Sequence, residues 1–150
     1  MSLVHKVRSA WEDRFQRPTV EQILAEIPKP ASSLASGIRD AFVKDGAMVE
    51  RLTWHGVPWR WAFDYSTPGG EPAAYLIPSP QRLMVAIPVP VDLLAALSPK
   101  KMAKPIRDVV MLAPVVGTSR WAQWDLTARQ QIDDLTAFVT LIRNAAVAAA

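Results

Sequence analysis

Apolar residues recur at helical spacing at the start of the chain. Every fourth residue from Leu3 to Phe15 is apolar, with Val7 and Trp11 between them. A helix brings residues at this spacing onto one face, so the pattern predicts an amphipathic helix over this range. We expect it to end before Pro18, because a proline inside a helix removes a hydrogen bond and clashes with the preceding turn.

Two further helices are predicted before the character of the chain changes. Thr19 and Gln22 have the spacing of a capping box, which predicts that a short helix begins at Thr19. Ser32 or Ser33 is the expected cap of a third helix. Gly46 lies where that helix should end, since glycine is common just after the last helical turn.

The spacing of apolar residues changes to two from residue 48 onward. The clearest strand is Trp59–Tyr65, in which aromatic side chains alternate with Arg60, Ala62 and Asp64. Alternation of this kind places the aromatic residues on one face of a sheet. The strands predicted around it are Met48–Trp54, Ala73–Ile77 and Leu83–Ile87, with turns at His55–Gly56 and Thr67–Gly70.

The last third of the chain alternates short helices with one strand. Val91–Leu97 and the region up to Leu112 from about Lys104 are predicted to be helical, and Ser119–Leu126 is predicted to be a strand. Thr127 and Gln130 have capping-box spacing and predict the start of a long final helix.

These elements together predict an α+β fold. N-terminal helices precede a mostly antiparallel sheet of about five strands, and a long C-terminal helix packs on the sheet. No repeat or linker interrupts the chain, so we expect a single domain over residues 1–150 with its core at about 18–143.

Composition narrows the possible functions. The chain has 150 residues, no cysteine and a net charge of +3. A disulfide framework, a thiolate zinc site and a cysteine nucleophile are therefore excluded. The lysines and arginines are scattered, so nucleic-acid binding is not expected. We expect neither a membrane span nor a secretory signal, and we predict a cytoplasmic location.

The residues that usually carry catalysis or bind metals do not form a recognisable pattern. His55 stands beside Gly56 in a predicted turn, where histidine is usually a surface residue, and His5 lies near the chain start. Asp133 and Asp134 are adjacent, so a helix would point them about 100° apart. We predict no catalytic residues, no metal site and no cofactor.

Tryptophan is unusually frequent, with six residues. The candidate ligand-binding residues are Trp54, Trp59, Arg60, Trp61, Arg120, Trp121 and Trp124. Tryptophan offers flat apolar contact, and arginine pairs with an anion or stacks on a ring. The alternative is that these rings fill the interface between sheet and helices. Trp121 and Trp124 are three residues apart, so a strand points them to opposite faces and one should lie outside the main core.

The chain resembles a bacterial family known as domain of unknown function 3788, which is akin to the YdhG-like small domains. The resemblance rests on Trp54–Trp61, Tyr75–Pro78, Leu83–Ile87, Arg120–Trp121, Asp133–Leu135 and Pro18–Ile23. It extends over about residues 18–143. It implies an α+β fold with an antiparallel sheet, and it implies no assigned reaction and no catalytic residues.

The sequence leaves three functions open. The leading hypothesis is a non-enzymatic binding domain whose aromatic–arginine face takes a small anionic or amphipathic ligand. The second is a homo-oligomer, such as a homodimer, that uses the aromatic strand face as its interface. The third is an enzyme with a carboxylate and tyrosine site around Asp64 and Tyr65.

Overall fold

Helices and a six-stranded antiparallel sheet form an α+β fold, as predicted. The computed structural model describes residues 9–149. Within them the helices are α1 (Val20–Ala25), α2 (Ala31–Val43), α3 (Val91–Leu94), α4 (Lys104–Leu112) and α5 (Gln130–Ala149), with 3₁₀ turns at Lys44–Gly46 and Pro99–Lys101. The strands are β1 (Val49–Trp54), β2 (Trp61–Ser66), β3 (Pro72–Pro78), β4 (Leu83–Pro90), β5 (Val115–Val116) and β6 (Ser119–Asp125). Their order in the sheet is β1-β2-β3-β4-β6-β5.

The register of the strands defines two faces of the sheet. One row of paired residues, Leu52, Phe63, Leu76, Val85 and Trp124, lies on what we call the helix face. Helices cover it: Phe42 of α2 meets the ring of Tyr65 at a centroid distance of 4.9 Å, and Phe138 of α5 meets Trp124 at 6.1 Å. Most of the buried apolar side chains of the described residues lie in one core between this face and the helices.

The opposite side, which we call the distal face, carries the row Asp64, Tyr75, Ala86 and Gln123. Ala86 is fully buried there, whereas Tyr75 is half-buried and Gln123 is exposed. Polar residues and aromatic rings share this face, in contrast to the continuous apolar row of the helix face. The final strand divides its two tryptophans as predicted, with Trp124 on the helix face and Trp121 on the distal face.

A partly buried polar network lies at the margin of the helix face. Arg39 binds Glu50 through two hydrogen bonds of 2.8 and 3.0 Å, and the hydroxyl of Tyr65 donates to the same carboxylate at 2.7 Å. Burial opposes the charge of Arg39, but the hydrogen bond and negative charge of Glu50 outweigh it, so its pKa is raised. Burial, followed by the charge of Glu50, raises the pKa of Tyr65.

The helix predicted over 3–15 is wrong in its second half, and residues 1–8 lie outside the described range. Residues 10–15 form turns, in which Trp11 is buried and Phe15 is 80% exposed. The amide of Ala10 donates to the carboxylate of Glu26 at 2.8 Å, and the indole of Trp11 donates to the carbonyl of Trp59 at 3.0 Å. These contacts with distant parts of the chain outweigh the local helical pattern.

The helix starts are predicted in part. The capping box of Thr19 and Gln22 is confirmed at α1. The predicted serine caps of α2 are wrong, because the helix already begins at Ala31 after Pro30 and no side chain caps it. The capping box predicted at the start of α5 pairs Thr127 with the wrong glutamine. The side chain of Gln131, rather than that of Gln130, accepts from the Thr127 amide at 2.8 Å.

The structure differs from the prediction in the start of one strand, the length of one helix and the number of strands. β2 begins at Trp61, two residues later than predicted, because the chain turns at residues 56–60. The helix predicted over Val91–Leu97 is shorter and ends at Leu94. The sheet has six strands rather than about five, since the two-residue strand β5 is too short to show alternation. No helix of the described range is long and apolar enough to cross a lipid bilayer.

Tyr65→Phe removes a buried hydrogen bond and should lower the free energy of unfolding by about 1–2 kcal/mol at neutral pH. Because the native pKa of Tyr65 is raised above its ordinary value of 10.0, the hydroxyl stays protonated in the native state while it ionises in the unfolded chain. Stability should therefore fall as the pH rises above about 10. Urea unfolding at several pH values measures both effects.

The two variants to compare are Tyr65→Phe and Tyr75→Phe. The hydroxyl of Tyr75 forms no hydrogen bond with the described residues. Tyr75→Phe should therefore change the neutral-pH stability by less than about 0.5 kcal/mol. The deficit of Tyr65→Phe should shrink above pH 10 by up to about 1.4 kcal/mol per pH unit. Equal stabilities of the two variants at neutral pH would contradict this account of the network.

Candidate functional site

The direction of the backbone hydrogen bonds in β4 determines where the sheet opens. The amide of Val91, directly after β4, donates to Thr118 at 2.9 Å. Along a strand between two antiparallel neighbours, successive residues bond alternately to one neighbour and the other. The odd-numbered residues of β4 therefore bond to β6, and the even-numbered ones, which include Pro88 and Pro90, face β3.

The pairing of β3 with β4 ends where these prolines begin. The last pair in register is Tyr75 with Ala86, whereas β4 stays paired with β6 as far as Pro90. Proline has no backbone N–H, so Pro88 and Pro90 cannot donate to β3. The strand predicted over Leu83–Ile87 ends directly before Pro88, whereas β4 continues to Pro90. The structure shows that the prolines end the pairing on one side of the strand only.

A cleft of about 640 Å³ lies at this end of the β3–β4 pair. Ala73 and Tyr75 of β3 line it, as do the two prolines of β4 and Trp121 of β6. The C-terminal half of α5 contributes Ile142, Arg143 and Ala146, and the turn over 67–71 contributes Glu71. Its lining is mostly apolar, with one arginine and one glutamate.

An aromatic cluster extends from this cleft across the distal face. The ring centroid of Tyr75 lies 5.2 Å from that of Trp59 and 5.7 Å from that of Trp121, and the two tryptophans are 5.9 Å apart. His55 contacts Trp59 and Tyr75 at 5.5 and 5.7 Å. The three larger rings are half-buried, so each combines core packing with an accessible surface.

His55 is fixed at the edge of the cluster by a carboxylate. Its Nε2 lies 2.5 Å from Oδ1 of Asp64, and both side chains are 23% exposed. Arg51 is the cross-strand partner of Asp64 in β1 and is exposed. Burial, followed by the charge of Asp64, raises the pKa of Tyr75, so this hydroxyl stays protonated at neutral pH.

The turn between β1 and β2 brings His55 and Trp59 together. The amide of His55 donates to Arg60 at 2.7 Å, and the amide of Arg60 donates to Gly56 at 2.6 Å. Gly56 and Arg60 have positive φ angles of 77° and 59°. Glycine accepts such angles without steric cost, whereas arginine does so only at some cost in energy.

This turn corrects the predicted position of Trp59. An uninterrupted strand from Trp59 would have placed it beside Trp61 on one face, and Arg60 on the other face. Because residues 56–60 turn instead, Trp59 lies on the distal face and Trp61 lies on the helix face. Arg60 stacks over the ring of Trp11 at 5.2 Å.

The seven candidate residues therefore do not form one surface. Trp59 and Trp121 meet on the distal face. Trp54 packs on Trp61 at 5.7 Å on the helix face, and Trp124 is only 6% exposed. Some of the tryptophans therefore fill the core, and others line an accessible face.

The two predicted arginines have structural contacts. Arg60 is engaged with Trp11, as described above. Arg120 donates hydrogen bonds to the carbonyls of Met111 and Ala113, at 3.4 and 2.9 Å. These carbonyls end α4, where a positive charge is favourable. Neither arginine lines the cleft, whose arginine is Arg143.

Sequence reasoning missed three residues of the site, Tyr75, His55 and Arg143. Tyr75 carried no signal of its own, and Arg143 lies more than fifty positions from the other cleft residues of β3 and β4 in the chain. The carboxylate–tyrosine pair of Asp64 and Tyr65 is not assembled as expected. The two residues are adjacent in β2, so Asp64 lies on the distal face and Tyr65 is buried under the helices.

Trp124→Ala should cost about 3–5 kcal/mol of unfolding free energy, because it empties a buried position against Phe138. Trp121→Ala should cost only about 1–2 kcal/mol, since that side chain is only partly buried. Urea denaturation of the two variants checks the difference. Equal losses would mean that the two tryptophans do not divide between core and surface.

Comparison of the chain with protein-family models, with curated protein sequences and with solved structures finds no match. The resemblance to the domain of unknown function 3788 family therefore stays a prediction. Within residues 9–149, no three histidine, aspartate or glutamate side chains converge on a point where they could hold a metal ion.

Proposed function

We propose that the protein is a binding domain whose cleft between β3, β4 and α5 takes a small amphipathic anion. The observation that carries this proposal is the cleft itself, which combines aromatic and proline walls with a single arginine. The ligand belongs to the anionic or amphipathic class expected from the sequence, but the site is the cleft rather than the predicted aromatic–arginine face. Its anion-binding residue is Arg143 instead of Arg60 or Arg120.

The size and lining of the cleft favour a ligand with an apolar body. Its volume of about 640 Å³ falls in the range of roughly 300–1,000 Å³ that is common for small-molecule sites. Tyr75 and Trp121 offer flat surfaces, and proline rings and aliphatic side chains of α5 complete the walls. Binding of an apolar group against these walls is favourable, because it removes apolar surface of both the ligand and the cleft from water.

Arg143 supplies the polar end of the site. Among residues 9–149 it takes part in no ion pair, and its side chain is half-buried in the lining of the cleft. An arginine in this position binds a carboxylate, sulfonate or phosphate through two parallel hydrogen bonds. Glu71, which also lines the cleft, would repel a second anionic group. These charges favour a ligand with one anionic end.

Arg143→Gln should weaken the binding of 8-anilinonaphthalene-1-sulfonate about tenfold, because a charge-assisted hydrogen bond is lost. This probe has an aromatic body and one sulfonate, and its fluorescence rises in an apolar environment. The matched control is Arg129→Gln, which removes an exposed arginine that does not line the cleft. It should leave the dissociation constant within about twofold of the native value.

A second variant tests the location of the bound probe. Ala146→Trp places a large ring in the cleft and should abolish the fluorescence increase without removing any charge. An unchanged affinity in both Arg143→Gln and Ala146→Trp would show that the probe binds elsewhere and would overturn the proposal.

A specific observation also favours a homo-oligomer, but at another surface than the aromatic strand face that the sequence predicted. At the β5 edge of the sheet, Met111, Leu112, Val115 and Val116 are 53–87% exposed. Leu112 also borders a shallow hollow of about 560 Å³ that reaches Trp121. Contiguous exposed apolar residues at a sheet edge are typical of interfaces. We therefore propose, as a second candidate function, that this edge binds a second copy of the chain.

Leu112→Lys combined with Val116→Lys should convert a dimer into a monomer in sedimentation velocity experiments, because two charges would be buried at the interface. Val57→Lys is the control, since Val57 is similarly exposed but lies in the β1–β2 turn. A native protein that sediments as a monomer at the highest accessible concentration would refute this second candidate.

The cytoplasmic location predicted above is a further proposal, supported by the lack of cysteine.

A further inference from the structure

We propose that His55, held by Asp64, is an acid–base residue that hydrolyses an aromatic ester bound against Trp59 and Tyr75. This inference rests on the proposed binding function for the recognition of the ligand, because Tyr75 belongs to both the aromatic cluster and the cleft. It adds a chemical step that binding alone does not require.

The hydrogen bond to Asp64 determines which nitrogen of His55 is free. A carboxylate accepts hydrogen bonds, so Nε2, which lies 2.5 Å from Oδ1 of Asp64, carries the proton. In the neutral imidazole the lone pair is then on Nδ1. In serine hydrolases a carboxylate also orients the general-base imidazole, although it does so through the other ring nitrogen.

The ring of His55 is partly exposed and belongs to the aromatic cluster. About a quarter of the side chain is exposed, and the ring contacts those of Trp59 and Tyr75 at centroid distances of 5.5 and 5.7 Å. Backbone hydrogen bonds of the turn, at 2.6 and 2.7 Å, fix the position of the residue. A planar ring stacked on Trp59 or Tyr75 would place its substituent beside the imidazole.

The charged and titratable groups that face His55 are few. Asp64 binds its Nε2, Arg51 lies across from Asp64 on β1, and Tyr75 contacts the imidazole from β3. Asp64 is a positioning residue, because its hydrogen bond orients the imidazole of His55.

The hydrolysis balances with water as the only co-substrate. Nδ1 takes a proton from a water molecule while the water oxygen forms a bond to the carbonyl carbon of the ester. The bond between this carbon and the aryl oxygen then breaks, and the imidazolium returns the proton to the aryl oxygen. The products are a carboxylic acid and a phenol, and His55 regains its starting state.

The test is the hydrolysis of 4-nitrophenyl acetate by the native chain and its single-histidine variants. His55→Gln should lower kcat/KM about 100-fold, within the usual contribution of a general base. His5→Gln is the matched control, because the chain has only two histidines, and it should keep the native rate. Equal rates in the native chain and His55→Gln, or equal losses in the two variants, would overturn the proposal.

Asp64→Asn tests the positioning role by separating kcat from KM. It should lower kcat about 100-fold, because Nε2 of His55 loses its carboxylate partner and the imidazole its orientation, while KM stays within about twofold of the native value. A native kcat, or a rise in KM that accounts for the whole loss of kcat/KM, would overturn its assigned role.

Binding of 8-anilinonaphthalene-1-sulfonate to His55→Gln separates the two proposals. Retained binding with lost hydrolysis supports both the cleft and the histidine assignment. If the native chain hydrolyses the ester through His55 but does not bind the probe in the cleft, the proposed binding function fails and the acid–base assignment stands. Circular dichroism spectra that match the native chain exclude misfolding as the cause of a lost rate.

Discussion

The lack of a backbone N–H at Pro88 and Pro90 is the constraint on which the site depends. Both prolines lie at even positions of β4, which face β3, while the odd positions keep β4 paired with β6. One strand can therefore end its pairing on one side and continue it on the other. The sheet keeps its hydrogen bonds with β6, and the cleft forms next to β3. A proline at an odd position would instead have broken the pairing with β6.

The turn between β1 and β2 decides what this site contains. It moves Trp59 away from Trp61 and onto the distal face, where it joins Tyr75 and Trp121. The same turn places His55 within reach of Asp64. The aromatic residues of the chain are thereby divided between two tasks. Trp124 stabilises the packing of α5, and the rings on the distal face connect the cleft with an oriented imidazole.

Local patterns in the sequence predict the order of the elements well, because hydrophobic alternation and capping residues act over a few positions. The capping box at Thr19 and the opposite orientation of Trp121 and Trp124 follow from such patterns. The turns around Trp11 depend on hydrogen bonds to residues far along the chain, which no local pattern reveals. The cleft joins β3, β4 and α5, so Arg143 could not be recognised before the packing of α5 was known.

The most direct test of the account is chemical-shift mapping of the ¹⁵N-labelled protein during titration with 8-anilinonaphthalene-1-sulfonate. The account predicts that the largest shifts fall on the amides around Ala73, Tyr75 and Arg143, which belong to β3 and α5 and meet in the cleft. Amides of the helix-face network around Arg39 should stay unchanged. Shifts centred on the β5 edge, or no saturable shifts at all, would contradict the claim that this cleft is the binding site.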